Sequence, residues 1–342
     1  MVSLAIIKNT TYKFSTFRII PFKEIAVRIF LMSFIFAAYN CSEKTPTKVF
    51  VKHAGLYPEG LEYHPTKKKF LVSSMKYGKI GLVDDDGNYE VFIDDEKLIS
   101  VVGLRVDKKN NRLYAANSDP GVSMKTHPDT QKKIAGLGVY DLSTGKEIHY
   151  YNLHELYEGA HFSNDIAVDK DSNIYITDSF SPVIYKIDAS GKPTVFLTHQ
   201  VFKGDGFNLN GIVAADDYLI VAKYNSGVLY KIPLKNPELF KAIKSDTLYY
   251  GADGLFWDND HLIVITNLNT NIIFKLESHD DYETTKAIQM DTNKWSFATT
   301  GVVRSSTNYV LNSKLDSLFA NKEPEQTFEI RQLRLADIGD RK

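Results

Sequence analysis

The stretch from Asn164 to Leu197 reads NDIAVDKDSNIYITDSFSPVIYKIDASGKPTVFL. It contains four short apolar segments rich in β-branched and aromatic residues, and turns made of Asp, Asn, Ser and Gly separate them. Such segments are typical of β-strands, and turns this short join neighbouring strands in antiparallel pairs. The stretch therefore predicts one four-stranded antiparallel sheet.

The same arrangement recurs along the chain. Each copy opens with a polar or small residue, usually followed by glycine and then an apolar run, and the six copies begin at Glu59, Val102, Asn164, Asn210, Asp253 and Thr300. Most begin about 45 residues apart, which is the repeat length of a β-propeller blade. The sequence thus predicts an all-β fold, a six-bladed β-propeller.

The two ends of the repeat region predict how the ring closes. The sixth copy offers only three strand-like segments, and we expect residues 48–51 to supply the fourth. A propeller closed by N- and C-terminal strands in one blade leaves no long unpaired sheet edge.

The second copy is about 18 residues longer than the others, and the extra residues lie at 119–135. They fall between the second and third predicted strands, on the face where the leading residues of the copies should lie. A long loop there is either a lid or a tolerated surface insertion.

Composition limits the partners of the protein. The chain has 342 residues, of which 43% are hydrophobic and 24% charged, enough to form a large core. Its net charge is −1, so no basic surplus favours a nucleic acid. A small-molecule substrate is the expected partner.

The N-terminal region has the character of an export signal. Lys23 and Arg28 precede the apolar residues 29–38, a stretch about half as long as a bilayer span, and Cys41 follows. This resembles a bacterial lipoprotein signal, which implies a lipid on Cys41, a membrane anchor and a place in the cell envelope. A plain signal peptide or an uncleaved anchor is the alternative. The predicted organisation is a leader at 1–41, a linker at 42–46 and one propeller domain at 47–342.

Four of the six leading residues carry a carboxylate or amide oxygen, namely Glu59, Asn164, Asn210 and Asp253. Because the inner strands of a propeller converge on its axis, these side chains should meet at one mouth of the channel. Two carboxylates and two amides suit a hard divalent cation such as Ca²⁺, although other divalent cations are possible. The set contains no histidine or cysteine, which argues against zinc.

These residues resemble the SMP-30/gluconolactonase family, calcium-dependent six-bladed propellers that include gluconolactonases and related organophosphate hydrolases. The resemblance rests on four motifs in order, Pro58-Glu59-Gly60, Asn164-Asp165, Asn210-Gly211 and Asp253-Gly254. It implies that Glu59, Asn164, Asn210 and Asp253 bind Ca²⁺. It also implies that the metal polarises a lactone carbonyl or a phosphoryl oxygen while Asp253 acts as the base. Phe162 stands where gluconolactonases carry an arginine, which argues against a sugar lactone.

Further residues are weaker candidates. His161 precedes Asn164 by three positions and is a second candidate for a catalytic base, or else a surface or substrate-binding histidine. Four residues that end the second strands of their copies are candidates for substrate contact, with turn capping as the alternative: Asn117, Asp178, Lys223 and Asn267.

The sequence therefore predicts an exported, calcium-dependent hydrolase of lactone-like esters. One alternative is a non-catalytic binding propeller with structural calcium, because fold alone does not decide function. Another is a propeller similar to phosphotriesterases or to strictosidine synthase.

Overall fold

The computed structural model describes residues 45–268 and 271–338. In these residues the strands form six small sheets, one for each predicted copy, which confirms the six-bladed β-propeller. The proposed leader, including Cys41, lies outside the described residues. No helix in the described part of the chain is both long and apolar enough to cross a membrane.

The first strand, β1 (Lys48–Val51), belongs to blade six, and the strands of the first three blades then follow in the order of the chain. Blade one contains β2 (Leu61–His64), β3 (Lys69–Ser73), β4 (Lys79–Val83) and β5 (Tyr89–Asp94). Blade two contains β6 (Ser100–Asp107), β7 (Arg112–Ser118), β8 (Ala135–Asp141) and β9 (Glu147–Asn152). Blade three contains β10 (Ser163–Val168), β11 (Ile174–Asp178), β12 (Val183–Ile187) and β13 (Pro193–Thr198).

The last three blades are less uniform at their outer edges. Blade four contains β14 (Leu209–Ala214), β15 (Tyr218–Lys223), β16 (Val228–Pro233) and the short β17 (Lys241–Ala242). Blade five contains β18 (Lys244–Ser245), β19 (Ala252–Asp258), β20 (His261–Thr266), β21 (Ile273–Glu277) and β22 (Thr284–Asp291), and β26 (Ala336–Asp337) also pairs with β22. Blade six contains β23 (Ala298–Arg304), β24 (Thr307–Asn312) and β25 (Phe328–Gln332).

Helical segments are short and lie between strands. The helix α1 spans Leu315–Phe319 and follows β24, and single 3₁₀ turns occur at Leu153–Leu156, Gln200–Phe202 and Pro237–Leu239.

The N-terminal strand closes the ring as predicted. β1 pairs antiparallel with β25, with Val49 opposite Ile330, and the strand order of blade six is β1-β25-β24-β23. The side chains of Val49 and Ile330 are both buried in the main apolar core. Strands from the two ends of the repeat region thus form one blade.

Five of the six inner strands have a β-bulge at the leading residue of their copy. The register between inner and second strands shifts across this position in β6, β10, β14, β19 and β23, for example between Leu209 and Ile212 and between Ala252 and Leu255. A β-bulge redirects side chains and interrupts pairing. The bulges therefore occur where Asn164, Asn210 and Asp253 meet the channel.

The glycine after the leading residue lets neighbouring blades approach each other. A Cβ atom on Gly211 would lie 2.2 Å from the carbonyl oxygen of Asp253, and one on Gly60 would lie 2.5 Å from that of Val102. Glycine in a strand often marks such a close backbone approach. The recurring glycine is thus explained by the packing of inner strands around the axis.

Gly87 offers a test of ring closure. It has a φ of +81°, and an added Cβ would lie 1.9 Å from the carbonyl oxygen of Phe50 on β1. We expect Gly87→Ala to lower the free energy of unfolding by about 2–5 kcal/mol, since a left-handed backbone costs about 1–2 kcal/mol and overpacking about 1–3 kcal/mol. Denaturant titration measures this change.

Gly206 provides the matched control. Its φ is +71°, but an added Cβ would meet no atom within 4 Å. Gly206→Ala should therefore cost only the backbone strain of about 1–2 kcal/mol. Equal losses in the two variants would show that the contact between β1 and Gly87 does not limit stability.

Candidate functional site

One mouth of the channel contains a cavity of about 70 Å³, which has room for several water molecules. The structure brings the four predicted oxygen-bearing residues together in its lining. The full lining is Glu59, Met75, Val102, Phe162, Asn164, Phe207, Asn210, Tyr224, Asp253, Phe297, Leu315 and Phe319.

The backbone of Glu59 is fixed on both sides. Its N–H donates to the hydroxyl of Ser73 at 3.1 Å, and its carbonyl accepts from the hydroxyl of Thr299 in blade six at 2.8 Å. The side chain is buried, and its Oε2 atom has no hydrogen-bond partner. A rigid backbone thus holds an unpaired carboxylate oxygen at the cavity.

The orientation of the Asn164 amide follows from its neighbour Ser179. The Ser179 hydroxyl donates its single proton to the carbonyl of Leu209 at 2.5 Å, so its oxygen is left to accept from Asn164 Nδ2 at 2.9 Å. The amide nitrogen of Asn164 is therefore engaged. Its Oδ1 atom is buried without a partner.

Asp253 is held by a chain of hydrogen bonds. Asn267 donates from Nδ2 both to Asp253 Oδ2 and to the carbonyl of Ala298, the latter at 3.0 Å. Because a carbonyl only accepts, this contact fixes the amide so that Oδ1 of Asn267 receives the Tyr224 hydroxyl at 2.8 Å. The side chain of Asn210 also hydrogen-bonds Asp253. The carboxylate therefore has a defined orientation.

Burial and nearby negative charges raise the pKa values of the two carboxylates of the cavity. Burial raises the pKa of Glu59 well above its usual value, and the negative charges of Asp253 and Asp165 raise it further. Burial likewise raises the pKa of Asp253 to about 7, although the hydrogen bonds from Asn267 and Asn210 oppose the shift. Among the described residues, no lysine, arginine or histidine lines the cavity to offset these charges.

This arrangement fits a hard cation. The polar donors are carboxylate and amide oxygens, the ligands that Ca²⁺ prefers, and two of those oxygens lack any hydrogen bond. In the described ranges, no group of three or more His, Cys, Asp or Glu residues is arranged to hold a metal ion. A metal in this cavity would therefore depend on the amides of Asn164 and Asn210 as well as on the two carboxylates.

His161 is buried beside the cavity but does not line it. Its Nδ1 lies 2.8 Å from Asp178 Oδ2, and the hydroxyl of Tyr185 lies 3.3 Å from the same nitrogen. Asp178 also accepts from the backbone N–H of Phe162 at 2.9 Å. The paired Asp178 thus holds the backbone of Phe162, whose side chain lines the cavity.

The remaining candidates for substrate contact lie in different parts of the structure. Asn117 donates to the carbonyl of Lys97 at 2.9 Å and to the hydroxyl of Tyr150 at 2.7 Å, between blades one and two. Lys223 donates to the carbonyl of Val201 at 2.7 Å. Neither lines the cavity, whereas Asn267 contacts Asp253 directly.

The insertion of blade two is an ordered surface loop, and none of its residues lines the cavity. The hydroxyls of Thr126 and Thr130 both donate to the carboxylate of Asp119, each at 2.7 Å. Lys125 donates to the carbonyl of Leu98 at 2.9 Å, which fastens the loop against the edge of blade one. The helix α1 contributes to the cavity instead, through Leu315 and Phe319.

Sequence reasoning missed two features of the site. Asp165, whose Oδ2 accepts from the N–H of Ile212 at 3.1 Å, adds a third carboxylate that repels Glu59. It stands where most copies have glycine, and that exception was the available signal. The aromatic wall was also missed, although Phe162, Phe207 and Phe297 each precede a leading residue by two or three positions.

Comparison with known proteins shows the fold. An allergen of Malassezia sympodialis, Mala s 1, matches with a TM-score of 0.67 at 16% identity, covering 85% of this chain and 96% of the allergen. Virginiamycin B lyase from Staphylococcus aureus matches with a TM-score of 0.55 at 14% identity, covering 84% of this chain and 98% of the lyase. A gluconolactonase from Xanthomonas campestris matches with a TM-score of 0.55 at 12% identity, covering 83% of this chain and 88% of the enzyme.

No protein-family model matches the chain, and no curated protein matches it significantly. At the identities above, the structural neighbours establish the propeller but no activity. Membership of the SMP-30/gluconolactonase family stays a prediction.

Proposed function

We propose that this protein is a calcium-dependent hydrolase of lactone-like esters, with its active site in the channel cavity. One observation supports this proposal most directly. The unpaired buried oxygens of Glu59 and Asn164 share a cavity with Asn210 and with Asp253, whose pKa is raised to about 7. Unpaired buried acceptors are costly unless a ligand satisfies them.

The cation would be held by Glu59, Asn164, Asn210 and Asp253. When bound, a divalent cation supplies Lewis-acid polarisation of the ester carbonyl. Water is the nucleophile, and Asp253 accepts one of its protons on a carboxylate oxygen as the hydroxyl bonds to the acyl carbon. The acyl C–O bond then breaks, and Asp253 returns the proton to the departing alkoxide oxygen. A carboxylate can serve first as the base and then, once protonated, as the acid in these two transfers.

Asn267 and Tyr224 act as positioning residues for this base. Asn267 donates a hydrogen bond to Oδ2 of Asp253, and the hydroxyl of Tyr224 donates one to Oδ1 of Asn267 and so fixes its amide. The carboxylate is thereby oriented before substrate binds, which lowers the entropic cost of reaching the reactive geometry.

Metal removal tests the proposed function. Purified protein treated with EDTA should lose hydrolysis of a panel of lactones and phosphotriesters, and calcium should restore it, because the polarising charge is removed and returned. A magnesium addition serves as the comparison, since Mg²⁺ demands a stricter octahedral geometry than Ca²⁺. Absence of metal-dependent hydrolysis across the whole panel would overturn the proposal.

Export with a lipid anchor on Cys41 is proposed separately, from the apolar segment that precedes this single cysteine. Cys41→Ser should abolish labelling by a radioactive fatty acid and move the protein from the membrane fraction to the soluble fraction. Ser42→Ala is the matched control and should keep both properties. Unchanged membrane association of the Cys41→Ser protein would point to an uncleaved anchor instead.

A further inference from the structure

The cavity has a polar floor and an apolar rim. The floor contains Glu59, Asn164, Asn210 and Asp253, and nearly all of the remaining lining is aromatic or aliphatic. We propose that the substrate is a lactone-like ester that carries an alkyl or aryl substituent, rather than a hydroxylated sugar lactone. This proposal rests on the proposed hydrolase function and adds the substrate class.

The rim is a connected group of aromatic rings centred on Phe207. The ring centre of Phe207 lies 5.2 Å from that of Phe162, 5.9 Å from that of Phe319 and 6.3 Å from that of Tyr224. Phe207 and Tyr224 are only partly buried, and Phe319 is 40% exposed. An apolar surface is therefore accessible directly beside the polar floor.

The rim offers little to a sugar hydroxyl. No lysine or arginine lines the cavity in the described part of the chain, and the only polar group of the rim is the Tyr224 hydroxyl. That hydroxyl already donates its proton to Asn267 at 2.8 Å. Sugar hydroxyls placed against phenylalanine rings would lose their hydrogen bonds to water without replacement.

The size of the cavity suits a small reactive group with a larger substituent outside it. About 70 Å³ is less than half of the roughly 150 Å³ of an apolar cavity known to bind benzene. The ester group therefore enters the floor, and its substituent lies on the rim against Phe207 and Phe319. Alkyl carbon is favoured there because it removes aromatic surface from water.

Affinity for non-hydrolysable analogues tests this class without requiring turnover. A series of γ-lactams with alkyl chains of increasing length is titrated by calorimetry in the presence of calcium. We expect Kd to fall by about twofold to fourfold for each added methylene until the chain extends past the rim, since burial of a methylene favours binding. The hydroxylated lactam that mimics a sugar lactone should bind more weakly than the alkyl lactams.

Phe319→Ser identifies the rim as the source of the effect. This variant should flatten the dependence of Kd on chain length, whereas Phe50→Ser, at a residue of similar exposure on β1 outside the cavity, should keep it. A Kd that is independent of chain length, or tighter binding of the hydroxylated lactam, would overturn the proposal. The proposed hydrolase function is tested separately. Absence of metal-dependent turnover would contradict it, whereas the lactam series measures binding alone.

Discussion

Asp253→Asn should lower kcat for lactone hydrolysis by about 10²–10⁴-fold, the usual contribution of a general base. The side chain keeps its size and can still contact Asn267, so the cavity should retain its shape. An amide cannot accept the proton of the attacking water, and it also removes one negative charge from the cavity. Steady-state kinetics at saturating calcium measure the change in kcat, and thermal unfolding reports whether the fold is retained.

Asp258→Asn is the matched control, because Asp258 lies on the same strand, β19. Its carboxylate pairs with Lys275 at 2.8 Å and is not part of the cavity lining. This variant should keep the wild-type kcat, with at most a small loss of stability from a single ion pair. Equal kcat in wild-type protein and Asp253→Asn would show that another group is the base. Absence of turnover in every variant, including wild type, would favour a binding propeller.

The fold was predictable because the repeat combines two independent patterns. Apolar runs of strand length predicted the β-sheets, and the recurrence of the leading residues predicted that there are six blades. The pairing of β1 with β25 followed from the missing fourth strand of the last copy. These features depend on local sequence and on the rule that sheet edges are paired.

The site was predictable only where it belongs to the repeat. Glu59, Asn164, Asn210 and Asp253 occupy equivalent positions, so their meeting at the axis followed from symmetry. Phe319 does not belong to the repeat: it comes from α1, and among the described residues the other blades have no α-helix in the corresponding connection. Connections of this kind place side chains through tertiary packing, which spacing along the chain does not encode.

The packing of the blade-two insertion was likewise not predictable from the sequence. Its position between β7 and β8 was predicted correctly, and a lid was one of the two interpretations. The loop instead folds around Asp119 and is fastened to blade one through Lys125. The contact of Lys125 with Leu98 joins residues 27 positions apart in sequence, so the length of the insertion alone gave no indication of where the loop would pack.

Glu59→Gln should abolish or strongly weaken the stabilisation of the protein by calcium. A ligand that binds only the folded state at 100 times its Kd raises the free energy of unfolding by about 2.7 kcal/mol. The variant loses one of the two carboxylates and much of the attraction for a divalent ion. Without calcium, it should be at least as stable as wild type, because Glu59 is a buried carboxylate repelled by Asp253 and Asp165. Denaturant titrations with EDTA and with calcium measure both effects.

Glu62→Gln is the control, because it removes a buried carboxylate that does not line the cavity. Glu62 lies on β2, and its Oε1 is 3.4 Å from Nη1 of Arg105, outside the cavity lining. Its replacement weakens the pairing of Arg105, so the variant should be less stable than wild type with and without calcium. The difference between the two conditions should nevertheless remain at its wild-type size. If Glu59→Gln also keeps that full difference, calcium stabilises the protein from another site, and the oxygen cluster of the channel is not its ligand set.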